Sequence, residues 1–306
     1  ARFHDEVAVA TQAELDQVLV HGARREQRVH GQPVAFGPAI GQQQDDGAAA
    51  HGGAPAGGEG AGGGAVVVEE TTHSILAVRS QALERLLLTT IVVFGLDGTL
   101  FETRPRTLAI LQEFADSVEA EAPAVAESLR RLEHGMIRRL LRDTLREVGV
   151  TQPATVRDIT NFWYTRYHDS AYLVHDTPEP GAADFASQVH QAGGGVVYLS
   201  ARDIPSMLIG SVIALRDHGF PIAEPGVQLA FKTDATLSDE AHKREMLPEL
   251  ARGGEVVAVF DSDPAVCAMA YGYFPDALVG LMDTWELEPP PPESGLSHVR
   301  DFRLGS

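Results

Sequence analysis

The chain has 306 residues, with 24 Lys and Arg against 43 Asp and Glu and a formal net charge of −19. Binding to a nucleic-acid backbone depends on Lys and Arg, so this balance argues against general nucleic-acid binding. The single cysteine, Cys267, excludes an internal disulfide and a multi-cysteine zinc site. No apolar run approaches the roughly 18 residues that span a bilayer, and no signal peptide is visible. We therefore expect a cytoplasmic protein with no membrane partner.

The first 86 residues differ in composition from the rest of the chain. Ten of the 30 glycines fall within residues 41–64, and residues 36–64 contain almost no large apolar side chain. Such a composition buries too little apolar surface to offset the entropy lost on ordering. The chain also begins without Met. We expect residues 1–86 to be a low-complexity, disordered leader that is dispensable and need not belong to the native protein.

Apolar runs alternate with helical patterns from residue 90 onward. Short apolar, β-branched runs are typical of strands buried in a parallel sheet. Helical patterns cover residues 181–192, 205–218 and 239–252. The alternation predicts an α/β fold, a doubly wound parallel sheet of about five strands. The predicted strands are residues 91–94, 195–200, 227–231, 255–260 and 277–282.

A long stretch separates the first two predicted strands. Residues 95–194 far exceed what one crossover requires, and three segments in them have apolar residues at helical spacing. These predicted helices are residues 107–120, 124–148 and 156–170. We therefore expect an all-helical cap over residues 103–175, inserted after the first strand.

The remaining segments form the predicted core and a tail. The core consists of residues 88–102 and 176–287. Four consecutive prolines at 289–292 open a Pro-rich tail over residues 288–306. Because proline donates no backbone hydrogen bond and favours an extended conformation, we expect this tail to close the fold.

Polar residues collect where the predicted strands end. In an open parallel sheet, ligands bind beyond the carboxyl ends of the strands. Acidic side chains there suit Mg²⁺, and a hydroxyl with a lysine suits a phosphate group. The candidates are Gly95, Asp97 and Thr99 after the first strand, Ser200 and Arg202 after the second, Asp261 and Asp263 after the fourth, and Lys243 on the preceding helix.

Four motifs in this order resemble the haloacid dehalogenase (HAD) superfamily of phosphohydrolases. They are residues 91–100, an apolar strand ending at Ser200, Lys243, and the acidic segment 260–264. The resemblance covers roughly residues 88–285. It implies a Rossmann-like core with a cap, and hydrolysis of a small phosphorylated metabolite through an aspartyl phosphate.

The resemblance also implies roles for single residues. Asp97, Ser200 and Lys243 would be catalytic, and Thr99 and Arg202 would bind substrate. Mg²⁺ would be held by Asp261, Asp263 and the backbone carbonyl of Asp97.

The first motif departs from the family pattern at its first acidic position. There the family has the Asp that attacks phosphorus, and this chain has Gly95; the second Asp, which protonates the leaving oxygen and then activates water, is Asp97. Losing a nucleophile costs on the order of 10⁴–10⁶ in rate, so we expect the chain to be nearly inactive by the family mechanism. Three explanations remain open: a sequence error or laboratory substitution, a natural pseudoenzyme that still binds phosphate, or another base acting directly on water.

Several residues have a plainer interpretation. Asp97 precedes Gly98 and could serve only the turn, Ser200 could cap a helix, and Asp263 could cap the helix that begins at Pro264. Lys232 competes with Lys243 for the lysine role, although Lys243 has the better spacing to the fourth motif.

Arg202 and the cap have plainer interpretations too. Arg202 could contact the substrate, but pairing with Asp203 or another surface acid is the preferred interpretation. In the cap, Arg138 and Arg139 favour a solvated helix face over substrate selection, and Trp163 with Tyr167 favours core packing over a substrate platform.

Two other functions stay open beside a metabolite phosphatase. The chain could be a catalytically inactive HAD-like module that binds phosphate or regulates a partner. Residues 200–202 also resemble the Ser-Gly-Arg segment of polynucleotide 3′-phosphatases, which implies a nucleic-acid end as substrate, against the acidic charge balance. A haloacid dehalogenase activity is disfavoured, since the acidic fourth motif serves a metal in the phosphatases.

Overall fold

The computed structural model describes residues 90–285 and 288–303, so the predicted disordered leader at residues 1–86 lies outside the described residues. The strands are β1 (Thr90–Phe94), β2 (Phe101–Glu102), β3 (Thr177–Pro178), β4 (Gly195–Asp203), β5 (Val227–Lys232), β6 (Glu255–Asp261), β7 (Leu278–Met282) and β8 (Ser297–Val299). The helices are α1 (Arg104–Val118), α2 (Pro123–Arg130), α3 (Leu141–Glu147), α4 (Pro153–Tyr167), α5 (Ala182–Gln191), α6 (Ile204–Asp217), α7 (Asp239–Leu250) and α8 (Pro264–Tyr273).

Six strands form one parallel sheet in the order β5-β4-β1-β6-β7-β8. The chain builds outward from β1 through β4 and β5, then returns to the other side of β1 with β6. Ligands bind at such a reversal of strand order, beyond the carboxyl ends of the strands. The predicted α/β class and doubly wound sheet are confirmed, and the sheet has six strands where the sequence indicated about five.

Apolar side chains on both faces of the central strand hold the sheet between two helical layers. On one face, Phe94 stacks on Phe260 with ring centroids 5.5 Å apart, and Phe185 of α5 packs edge-on against both rings. On the other face, Val93 packs in a cluster with Leu247 of α7. All five residues of β1 are buried, as expected for a strand covered on both faces.

The insertion between β2 and β3 is helical and has a small core of its own, built on residues such as Leu111, Leu129 and Ile159. The prediction of a single helix over residues 124–148 is wrong. The structure has α2 and α3 instead, joined by a 3-10 turn at His134–Met136. Gly135 lies in this turn, where its flexibility disfavours a continuous helix.

The Pro-rich tail also contributes a strand that the sequence did not indicate. After a short turn at Pro292–Ser294, β8 pairs in parallel with β7, and Phe302 is buried against Phe94 and Phe185. The apolar residues that follow the prolines explain this strand, since they gain more by burial than an extended tail in solvent would. In the described part of the chain, no helix has the length and apolar character to cross a membrane.

Candidate active site

A tight turn after β1 presents the first motif to the carboxyl edge of the sheet. The amide of Gly95 donates to the carbonyl of Phe260 on β6 at 2.8 Å, which fixes the start of the turn. The carbonyl of Leu96 accepts the amides of Thr99 and two following residues. Gly98 has a φ of +69°, a left-handed conformation that glycine adopts without strain. The turn therefore brings Asp97 to the cleft.

A cleft of about 210 Å³ opens at this edge, between the sheet and the helical insertion. The structure brings most of the candidates together there: the cleft is lined by Gly95, Asp97, Ser200, Lys243, Asp261 and Asp263 of the core, together with Arg139, Tyr167 and Trp285. The other two candidates, Thr99 and Arg202, are buried next to Gly95 and Asp97 and do not line the cleft.

Lys243 and Asp261 form a buried ion pair at the floor of the cleft. Lys243 Nζ donates to Asp261 Oδ2 at 2.7 Å, and Asp261 Oδ1 accepts the amide of Asp263 at 2.9 Å. Burial alone would lower the pKa of Lys243, but the neighbouring Asp261 carboxylate raises it above its ordinary value. The competing Lys232 pairs instead with Asp239 at 2.9 Å and does not line the cleft. Lys243, which its spacing to the fourth motif favoured, is therefore the lysine that lines the cleft.

The position of the missing carboxylate is closely bordered. A Cβ atom on Gly95 would lie 2.8 Å from Asp261 Oδ2 and 2.8 Å from Thr99 Oγ1. Within the described residues, the buried Thr99 hydroxyl has no hydrogen-bond partner. Both distances to this Cβ are shorter than real Cβ contacts, so a residue larger than glycine at position 95 requires Thr99 and Asp261 to shift.

Asp97 is held by two buried arginines. Arg202 Nε donates to Asp97 Oδ2 at 2.9 Å and Arg202 Nη2 to Oδ1 at 2.8 Å, while Arg106 Nη2 also donates to Oδ1. Burial alone would raise the pKa of Asp97, but the two guanidinium groups together hold it far below its usual range. The carboxylate is therefore ionised and weakly basic: it can accept a hydrogen bond, and it does not suit the acid expected to protonate a leaving oxygen.

The preferred interpretation of Arg202, a pair with Asp203 or another surface acid, is wrong. Strand β4 runs to Asp203 and carries Arg202 inward, where its side chain is 1% exposed. Its partners are Asp97, Asp176 and the hydroxyl of Ser211. The carboxylate of Asp203 instead accepts the amide of Ser206 and caps α6.

Four residues in or beside the cleft were missed or only partly predicted. Nothing in the local sequence pattern marked Asp176, and Trp285 was not recognised because it follows the last predicted strand. Arg139 is exposed as expected, but it lies in a loop rather than on a helix, and it donates to Asp263 at 3.0 Å across the cleft. Tyr167 stacks on Trp163 as expected for core packing, yet it also lines the cleft, and burial raises its pKa to about 12.

The residues present do not fit Mg²⁺. The carbonyl of Asp97 accepts the hydroxyl of Ser262 at 3.2 Å, and Asp261 is engaged by Lys243. Asp263 caps α8 through the amide of Ala265 and uses its other oxygen on Arg139. In the part of the chain that the structure describes, no three acidic, His or Cys side chains gather as a metal site. The predicted ligand set lacks a carboxylate at position 95, and we derive no chemistry through a metal.

No family model and no curated protein matches the chain. Among solved structures it is similar to a candidate phosphatase from Clostridium difficile, with 13% identity, a TM-score of 0.49 and coverage of 70% of this chain and 95% of that one. A haloacid dehalogenase-like family hydrolase from Streptococcus pneumoniae has 10% identity, a TM-score of 0.43 and coverage of 69% and 93%. A HAD-superfamily hydrolase of subfamily IA from Geobacter sulfurreducens has 12% identity, a TM-score of 0.42 and coverage of 70% and 91%.

Proposed function

We propose that the chain is a phosphohydrolase of the HAD type, specific for a small phosphomonoester, that lacks its nucleophile at Gly95. The proposal rests on the residues that line the cleft. Ser200, Lys243 and Asp97 line it beside Gly95, and the buried Thr99 hydroxyl without a partner borders the position where a carboxylate would stand.

The remaining groups suit a phosphate ligand. Lys243 supplies a cation and Ser200 a hydroxyl, both at the carboxyl edge of the sheet. A carboxylate at position 95 would add the group that attacks phosphorus. Its oxygen would form a P–O bond as the ester P–O bond breaks, and water would then hydrolyse the aspartyl phosphate. Asp97 is ionised and can orient that water by accepting a hydrogen bond, while the proton passes to solvent because the two arginines leave the carboxylate weakly basic.

The variant Gly95→Asp tests this proposal, with Gly95→Asn as a matched control of nearly equal size. Aryl phosphates are the substrates of choice, because their leaving groups depart without a proton from an acid. We expect hydrolysis by Gly95→Asp and accumulation of a phosphorylated protein that hydroxylamine cleaves, as an acyl phosphate requires. Hydrolysis without this intermediate would contradict the proposed nucleophilic role.

A second candidate, a phosphate-binding module without hydrolytic activity, is favoured by the two arginines on Asp97. An acid catalyst needs a proton to donate, and Arg106 and Arg202 keep this carboxylate ionised. Binding of inorganic phosphate to the unchanged chain, measured by calorimetry, together with no activity in Gly95→Asp, would support the module and overturn the enzyme.

A further inference from the structure

A buried cluster of charges lies next to the cleft and includes a residue with no role so far. The side chains of Arg106 and Asp176 are 0% exposed and that of Arg202 is 1% exposed. Together with Asp97 they comprise two cations and two anions, which balance. Buried charges persist only when they are paired and hydrogen-bonded, so every member of this cluster depends on the others.

Asp176 holds both arginines that hold Asp97. Its Oδ1 accepts Arg106 Nε at 2.7 Å, and its Oδ2 accepts Arg106 Nη2 at 2.6 Å and Arg202 Nη2 at 2.8 Å. The same two Nη2 atoms donate to Asp97 Oδ1. Each Nη2 atom therefore bridges the carboxylate of Asp97 at the cleft and the carboxylate of Asp176, which is buried behind it.

The four residues also join the two ends of the helical insertion to the core. Arg106 lies in the first turn of α1, where the chain enters the insertion, and Asp176 directly precedes β3, where the chain leaves it. Arg202 lies on β4 and Asp97 on the turn after β1. The segments that enter and leave the insertion are thus connected to Asp97 through this cluster.

We propose that Asp176 is a positioning residue, which orients Arg106 and Arg202 so that the Asp97 carboxylate is held in the cleft. The catalytic part of this proposal rests on the proposed function; the orientation of the arginines does not. Without Asp176, two guanidinium groups would share one carboxylate. Arg106 would keep only Asp97, the Tyr167 carbonyl and the face of the Tyr167 ring, 4.2 Å from its guanidinium carbon. Arg202 would keep the Ser211 hydroxyl and Asp97.

The orientation is tested first on the chain without a new nucleophile. Bidentate pairing slows rotation of a guanidinium group, so side-chain NMR of the unchanged chain should resolve separate Nη proton signals for Arg106 and Arg202. We expect Asp176→Asn to merge or broaden those of Arg106. The control is Asp116→Asn, which removes an exposed partner of Arg130 and should leave both sets unchanged. Signals that persist unchanged in Asp176→Asn would overturn the proposal.

The catalytic consequence is tested in the Gly95→Asp background. Adding Asp176→Asn should lower kcat by at least about tenfold and leave KM within about threefold, because Ser200 and Lys243 are untouched. If this variant does not fold, Arg106→Gln with Asp176→Asn removes one cation and one anion together and should give the same split. An unchanged kcat in a folded variant would overturn the proposal. If Gly95→Asp alone is inactive, the proposed function fails, and the NMR measurement still decides the role of Asp176.

Discussion

Asp261 Oδ2 lies 2.8 Å from the point that a Cβ atom on Gly95 would occupy, and Lys243 holds it there through an ion pair of 2.7 Å. The fourth motif therefore extends into space next to the position where the first motif lacks its carboxylate. A larger residue at position 95 requires Asp261 to move against its contacts with Lys243 and with the amide of Asp263. The ion pair carries no net charge, so a phosphate at this point would be bound mainly through further hydrogen bonds donated by Lys243.

Replacing Lys243 by Met should destabilise the protein and abolish binding of inorganic phosphate. Asp261 would be left buried without its cation, which costs about 3–5 kcal/mol when one member of a buried pair is removed. Urea unfolding measures the loss. Lys232→Met is the matched control, because its partner Asp239 is exposed and can be hydrated, so we expect about 1 kcal/mol or less. Equal losses in the two variants would contradict the assignment of Lys243 to the cleft.

Replacing Phe302 by Ala should cost about 3–5 kcal/mol, as expected for removal of a buried aromatic ring. The ring packs on Phe94, Phe185 and Phe260 on one face of the sheet. Chemical unfolding is the measurement, and Tyr273→Ala, at a 44% exposed position, should cost less than about 1 kcal/mol. A small effect of Phe302→Ala would mean that the tail is not part of the core.

Gly210 of α6 should not tolerate a larger residue, because α6 packs there against Ser170 at the end of the helical insertion. A Cβ on Gly210 would lie 2.6 Å from the backbone oxygen of Ser170, whereas nothing lies within 4 Å of a Cβ on Gly272 in α8. Gly272→Ala should therefore stabilise the protein by about 0.5–1 kcal/mol through helix propensity. Gly210→Ala should destabilise it despite the same gain. Thermal unfolding of the two variants compares them, and stabilisation of both would show that the contact is loose.

Glu179 should make stability depend on pH. Burial, followed by the charges of Glu102 and Asp301, raises its pKa to about 7 from an ordinary value of 4.5. The folded state therefore keeps a proton that the unfolded chain releases, so this contribution is full below pH 4.5 and is lost as the pH rises through about 7. Glu179→Gln should add about 1–2 kcal/mol at pH 8, after allowance for partial solvation, and almost nothing at pH 4. The exposed Glu121→Gln is the control, and equal effects at both pH values would contradict the prediction.

Much of the core could be predicted because the signals are local. A buried β-branched run such as β1 or β6 is recognisable without its neighbours, and so is the polar residue that follows it. The same local signals correctly predict that Ser200 and Lys243 lie at one edge of the sheet. The sixth strand, β8, was not predicted because its three residues follow a run of prolines and have no such signal. Their conformation is decided by pairing with β7 and by the burial of Phe302.

The environment of the charged residues could not be predicted, since it depends on contacts distant in sequence. Arg202 and Asp97 are 105 residues apart, and Arg106 and Asp176 are 70 apart. No periodicity reports that these four side chains meet in one buried cluster. The catalytic role of Asp97 stays a prediction, but its lowered pKa could not be predicted, because it is set by arginines that only the folded chain brings near.

If the cleft is a phosphohydrolase site that lacks one carboxylate, restoring that carboxylate should restore hydrolysis. The most direct measurement compares aryl phosphate hydrolysis by the unchanged chain, Gly95→Asp and Gly95→Asn, at equal concentration and in one buffer containing Mg²⁺. We predict a rise in kcat on the order of 10⁴ or more for Gly95→Asp, with Gly95→Asn no faster than the unchanged chain. No rise in Gly95→Asp, or an equal rise in Gly95→Asn, would contradict the proposed function.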